Sequence, residues 1–242
     1  MPPLLALTDL HKSFGAVTVA SGIDLEVEAG EAVGILGPNG AGKTSLFGLI
    51  TGTLKPDRGT VTFMGAPMTA IPPEARVQAG MARSFQVPQP FGGMSVFENL
   101  LVAARFGAGQ SETAASDACL DILARCGLLT QANLPAGSLR LLDRKRLELA
   151  RALATSPRLL LLDEIAGGLT EPECLSLLAL LREVRAGGVT IIWIEHVVHA
   201  LTATVSRLLV LYGGKFIADG PPAAVMANPK VREIYLGIEA DA

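Results

Sequence analysis

Apolar residues fall into short runs broken by glycine or polar positions, and the period of each run predicts its element. Leu4–Asp9 and Val17–Val27 are rich in β-branched residues and partly alternate, with breaks at Phe14-Gly15 and Ser21-Gly22, which predicts an antiparallel sheet. Glu31–Leu36 is a short apolar run, the pattern of a strand buried on both faces. Thr44–Leu54 has helical spacing through Leu46, Leu49 and Ile50 and ends near Gly52. Thr60–Met64 is a further strand, closed by Gly65.

From about Val87 to Ala154 the period becomes helical. Ser95-Val-Phe-Glu98 has the spacing of a capping box and leads into a helix over Asn99–Phe106. Glu112–Cys126 places Ala115, Ala118, Cys119, Ile122 and Leu123 on one face, and Leu141–Ala154 is another helix. The strand and helix rhythm then returns. Arg158–Asp163 is a strand, Glu171–Ala186 a helix, Val189–Ile194 a strand and His196–Ala203 a short helix. Arg207–Tyr212 and Lys215–Asp219 form a hairpin across Gly213-Gly214. Strands alternating with helices predict an α/β fold with a mixed, largely parallel sheet covered on both faces. The expected division is a core over 1–86 and 155–220, a helical lobe inserted at 87–154 and a C-terminal extension over 221–242.

Composition narrows this picture without redirecting it. The 242 residues suffice for one α/β domain with a sizeable core, and a chain that is 50% hydrophobic and 18% charged is not disordered. The net charge of −3 comes from mixed acids and bases, and no basic stripe points to nucleic acid. Arg151, Arg158, Asp163 and Glu164 interrupt the richest apolar stretch, so no membrane span is expected, and MPPLLALTDLHKSFG lacks the charged and apolar regions of a signal peptide. Cys119, Cys126 and Cys174 have neither metal-ligand spacing nor a disulfide pattern and read as reduced, buried thiols.

The candidate chemistry begins at Gly37-Pro38-Asn39-Gly40-Ala41-Gly42-Lys43-Thr44, which fits GxxxxGK[ST] between a strand and a helix. Glycines let the backbone curl so that N–H groups converge on a β-phosphate at the positive end of the following helix. Lys43 adds a charge on the β- and γ-phosphates, the Thr44 hydroxyl is a Mg²⁺ ligand, and Ser45 closes the ATP-binding set. Further along, Leu159-Leu-Leu-Leu-Asp-Glu164 is a buried strand with an acid at its C-terminal end. Asp163 would hold the Mg²⁺ shell, and Glu164 would orient or deprotonate the attacking water.

With these motifs the chain resembles the ATPase subunits of ABC transporters, from about Leu4 to Gly237. It looks most like those of branched-chain amino acid-type importers. The closer similarity lies in GPNGAGKTSLFGLITGTLKPDRGTV, ARSFQ, MSVFENLLVAA, RKRLELARALATSPRLLLLDE and GKFIADGPPAAVMANPKVREIYLG. The resemblance implies a P-loop NTPase core with an N-terminal antiparallel β subdomain and an inserted helical lobe. It assigns Phe14 to stacking on adenine, Gln86 to Mg²⁺ or the lytic water, and His196 to the γ-phosphate. Gly168-Leu169-Thr170 matches the loop that crosses between two ATPase subunits, whereas His11 and His199 match nothing. It further implies head-to-tail pairing with a second ATPase subunit, two membrane permease subunits docked around Gln86–Asn99, and a periplasmic solute-binding protein acting indirectly. The place of work would be the cytoplasmic face of the inner membrane.

Departures from the family pattern carry their own information. The signature, near Leu-Ser-Gly-Gly-Gln in the family, falls on Leu139-Arg-Leu-Leu-Asp143. Arg140 replaces the serine, and Leu142 replaces the second glycine, where a side chain obstructs close backbone approach to a phosphate. Gly137-Ser138 would substitute only if the loop were re-registered, and Arg140 could instead offer a cation. Since a signature serves the partner's nucleotide, the expectation is a heterodimer with one competent site on Lys43, Glu164 and His196. Ile165 and Val197 also stand where a proline and an acid are usual. Alternatives are an ATP-binding regulatory partner with little hydrolysis and the ATPase of a lipid-type exporter.

Overall fold

β1 (Leu5–Phe14) and β2 (Val17–Val27) pair antiparallel from Leu5 opposite Val27 to Phe14 opposite Val17. β1 runs beyond the expected end at Asp9. A bulge there, with Asp9 at φ 48 and its N–H bonded to Asp24 Oδ1 at 2.8 Å, absorbs the break and lets pairing resume at Leu10. β4 (Arg58–Phe63) joins the other edge of β1, and the two-residue β5 (Ala66–Pro67) joins β4, giving the order β2-β1-β4-β5.

β3 (Ala32–Leu36), β8 (Thr190–Ile194) and β9 (Arg207–Tyr212) form the second sheet of this region. β3 lies between β8 and β9, parallel to both, and β10 (Lys215–Gly220) returns antiparallel on β9. Every residue of β3 and β8 is buried, which is why both read as unbroken apolar runs. α1 (Lys43–Thr51) follows β3, and α7 (Val198–Thr202) follows β8. At the C-terminal end, α8 (Pro222–Ala227) and α9 (Pro229–Leu236) are helices that the sequence reading did not resolve.

The computed structural model describes residues 2–236, so the last six positions of the expected 221–242 extension lie outside the described residues. The elements above belong to one compact unit, made of the residues up to Pro73 and those from Thr190 onward. Glu74–Val189 form the second unit. Its strands are β6 (Met81–Arg83) and β7 (Leu159–Asp163), paired in parallel with Met81 opposite Leu159. Around them stand α2 (Pro73–Gln78), α3 (Val96–Val102), α4 (Glu112–Arg125), α5 (Leu141–Ala154) and α6 (Glu171–Ala186).

The predicted capping box opens α3. Ser95 Oγ accepts the Glu98 N–H at 3.1 Å, and Glu98 accepts the Ser95 N–H at 2.7 Å. α3 ends earlier than its apolar spacing suggests and passes into a π-helical turn over Ala103–Gly107. α4 buries Ala115, Cys119, Ile122 and Leu123. All three cysteines are buried free thiols, and burial pushes Cys126 up to about 12.

Candidate functional site

Between β3 and α1 the chain makes the turn that GPNGAGKT dictates. Gly42 is the N-cap of α1 at φ 101, and a Cβ there would lie 2.3 Å from Val19 O. At Gly37 a Cβ would lie 2.4 Å from Leu211 O. Neither position admits a side chain, so the loop backbone is packed against its surroundings and its amides are fixed in place. Leu46, Phe47, Leu49 and Ile50 anchor α1 in the core. Pro38 is half-buried and Ala41 buried, Asn39, Gly40 and Thr44 are exposed, and Ser45 is half-buried. Lys43 is buried, and its ammonium donates to Gly37 O at 2.7 Å and Pro38 O at 3.1 Å. An ammonium held by loop carbonyls at a helix N-terminus is a chemical fit for a polyphosphate.

Two more predicted residues sit in this unit. Phe14 ends β1 with 48% of its surface exposed, and the Lys12 ammonium lies 5.3 Å from its ring centroid. Asp57 pins that hairpin end, accepting from Lys12 Nζ at 2.7 Å and the Ser13 N–H at 2.8 Å. The result is a fixed aromatic face open to stacking. His196 follows β8 with its ring exposed. Beneath it Glu195, wholly buried, accepts the N–H groups of His196 at 2.9 Å and Val197 at 3.2 Å and lies 3.7 Å from His196 Nδ1. Glu195 was not foreseen, because adjacent residues of a strand-to-loop junction give no sequence hint of which one turns inward.

The second unit brings the predicted acids to the ends of β6 and β7. Their parallel register sets Arg83 opposite Leu161, and three residues on along each segment Gln86 meets Glu164. Gln86 Nε2 donates to Glu164 Oε2 at 2.6 Å. Glu164 has a left-handed backbone, φ 48. Asp163 is buried; Arg83 Nη2 donates to its Oδ2 at 2.7 Å, while its Oδ1 is buried with no hydrogen-bond partner among the described residues. That orphaned oxygen fits a cation ligand, since hard oxygen donors suit Mg²⁺. Arg83 was missed because its role depends on pairing across the β6–β7 register, which a local pattern does not reveal.

α5 carries further buried charge that periodicity reads as an ordinary polar face. Glu148 is pushed up by burial, an effect offset by Arg151 and by the N–H groups of Gln89 and Phe85. Arg151 donates to Glu148 Oε2 at 3.1 Å and Gln89 O at 3.0 Å, and its guanidinium lies 5.0 Å from the Phe91 ring centroid. Asn99, also buried, braces the same segment through both the N–H and the carbonyl of Phe91. Phe85, Val87 and Phe91 remain exposed.

The N-terminal end of α5 has the departures noted above. Arg140 is the N-cap and its side chain makes no capping bond; Leu141 is 52% exposed in the first turn. Asp143 accepts from Gln131 Nε2 at 3.2 Å and lies 3.6 Å from Arg146 Nη1. Gly137-Ser138 belong to a separate 3₁₀ turn, Ala136–Ser138, and the Ser138 hydroxyl donates to Pro135 O at 2.7 Å. An open depression of about 360 Å³ is lined by Arg140, Leu142, Asp143, Gly168, Leu169 and Glu173. Leu141, Leu142 and Asp143 place side chains in the first turn of α5, whereas α1 is entered through Gly40, Ala41 and Gly42.

The chain is similar to known proteins along most of its length. The family model described as ABC transporter matches residues 20–167, and one described as branched-chain amino acid ATP-binding cassette transporter matches residues 217–241. The high-affinity branched-chain amino acid transport ATP-binding protein LivG of Salmonella typhimurium is 37% identical, over 97% of this chain and 98% of that protein. The lipopolysaccharide export system ATP-binding protein LptB of Acidithiobacillus ferridurans is 34% identical, over 98% of each. Among solved structures, the ADP conformation of an ATP-binding cassette of an ABC transporter superposes with a TM-score of 0.88 at 30% identity, covering 98% of this chain and 100% of that one.

Proposed function

This chain belongs to the ABC transporter family of ATP-binding proteins, and on that premise we propose that it energises a membrane importer of branched-chain amino acids or related small polar solutes. The observation that carries the reading is the strand–loop–helix at Gly37–Thr44, whose Gly37 and Gly42 leave no room for side chains and whose Lys43 ammonium is held by loop carbonyls. The reaction is attack of water on the γ-phosphate of ATP, releasing ADP and phosphate. Loop amides and Lys43 bind the phosphates and offset the charge that develops. Glu164 takes the water's proton, and Gln86 fixes the carboxylate that does so. Thr44, Asp163 and Gln86 would hold Mg²⁺, which neutralises phosphate charge when bound. Phe14 stacks on adenine, and His196, set by Glu195, reaches the γ-phosphate.

The import assignment is supported by the match over residues 217–241 and by the LivG relative. Among the described residues no helix is long and apolar enough to cross a membrane, and the reading places the chain on the cytoplasmic membrane face, bound to two permease subunits. The exposed, braced stretch with Phe85, Val87 and Phe91 is the proposed docking surface, with a periplasmic solute-binding protein acting from the far side.

The second ATP-binding subunit is proposed to be a different chain. α5 here carries side chains at Leu141 and Leu142 where close backbone approach to a phosphate needs glycine, so the partner's nucleotide meets a poor signature while this chain's loop is completed by the partner's. ATP turnover by the purified chain, alone and mixed with a related ATP-binding subunit, tests this. Turnover that needs the second subunit is expected; fast, cooperative hydrolysis by this chain alone overturns it.

A further inference from the structure

Lys145 lies in the second turn of α5 and is only 6% exposed. Its ammonium donates to Ile165 O at 2.9 Å and to Gly167 O. These carbonyls belong to the segment that directly follows Glu164, whose backbone is held at φ 48. A residue with a Cβ in that region costs about 1 kcal/mol or more and persists only where neighbours over-determine it. Further along α5, Arg151 Nη1 donates to Glu148 Oε2 at 3.1 Å and to Gln89 O at 3.0 Å, three residues past Gln86. A single helix therefore grips both segments whose side chains meet in the Gln86–Glu164 bond.

We propose that Lys145 is a positioning residue: by tethering Ile165–Gly167 to α5, it sets the place of the Glu164 carboxylate against Gln86. The inference rests on the ATPase reading above and adds a residue that never touches the nucleotide. Phe14 and the loop over 37–45 carry most of the contacts proposed for ATP and Lys145 bonds to neither, so loss of the tether lowers turnover and leaves binding nearly unchanged. A buried lysine that only filled space would be replaced by methionine without that split.

The test uses the chain assembled with a second ATP-binding subunit. In Lys145→Met, kcat falls about 100-fold, the loss that a displacement near 1 Å can cause, while the KM for ATP and the Kd for ADP stay within about twofold. Hydrogen exchange of residues 164–169 accelerates about tenfold as the tether is lost. Lys145→Arg, which keeps donors at this position, recovers most of kcat and of the protection. A kcat within twofold of the parent, an equal loss in nucleotide binding, or unchanged exchange at 164–169 overturns the proposal. If the methionine variant does not fold, Lys145→Gln is read by the same three measurements. Absence of turnover in the unsubstituted assembly overturns the ATPase reading instead, and exchange at 164–169 still judges the tether.

Discussion

Arg83 Nη2 and Asp163 Oδ2 lie 2.7 Å apart at the ends of two parallel strands, with 11% and 2% of their side chains exposed. The pair occupies one oxygen of the acid and leaves the other buried without a hydrogen-bond partner among the described residues. Arg83→Met should therefore leave a buried carboxylate without its countercharge and destabilise the fold by about 3 kcal/mol, read as a lower denaturant midpoint. Mg²⁺ with ATP should restore more stability to this variant than to the parent. An unchanged midpoint would show that the pair has no structural role.

Glu164→Gln should keep ATP affinity and lose hydrolysis by about 10²-fold or more, since the amide cannot accept a proton. Single-turnover assays with filter binding on the same sample separate the two effects. Undiminished hydrolysis removes Glu164 from the role of base.

Gly42→Ala places a Cβ 2.3 Å from Val19 O on a backbone at φ 101. It should cost about 2 kcal/mol of stability and abolish ATP binding together. Lys43→Ala should instead leave the melting temperature near that of the parent while ATP affinity falls at least about tenfold. Calorimetry with and without ATP distinguishes a misshapen loop from a missing charge.

The cap of α3 predicts a pH dependence. The Ser95 N–H, followed by the Ser95 hydroxyl, holds Glu98 below its ordinary value of 4.5. A folded-state value below the unfolded one contributes stability that is present above 4.5 and lost as pH falls through the folded value. The stability gap between the parent and Glu98→Gln should thus be full near neutrality and close in acid. A gap that widened in acid would contradict the cap.

Restoring the signature as Arg140→Ser, Leu141→Gly, Leu142→Gly and Asp143→Gln should raise ATP turnover by the chain alone by about tenfold or more, because amides would then be open to a partner's γ-phosphate. The two glycines should lower stability by about 1 kcal/mol each. Unchanged turnover would mean that pairing, not the signature, limits this chain alone.

What could be read from sequence was what is local. The phosphate loop is defined by glycines within eight residues, Ser95–Glu98 by a three-residue spacing, and α5 and α6 by uninterrupted periods whose observed bounds coincide with those expected. β6 escaped because three residues carry no period of their own and exist as a strand only through pairing with β7. Arg83, and with it half the environment of Asp163, went with it. Lys145 and Glu148 were hidden differently: charges on an amphipathic helix imply solvent, and only the structure shows both buried, Lys145 on backbone carbonyls and Glu148 on Arg151. The extension of β1 past Asp9 depended on a bulge that the break at Asp9 concealed.

The left-handed backbone at Glu164 also bears on how this sequence is inherited. Asparagine or glycine would relax that position, so folding selects against glutamate there, and under the proposed role as base it is catalysis that would retain it. In a lineage that kept the assembly but no longer needed this chain to cleave ATP, Glu164 should be among the first residues to drift, ahead of the loop glycines that packing protects. The residue at this position is thus a record of whether the subunit's chemistry is still under selection.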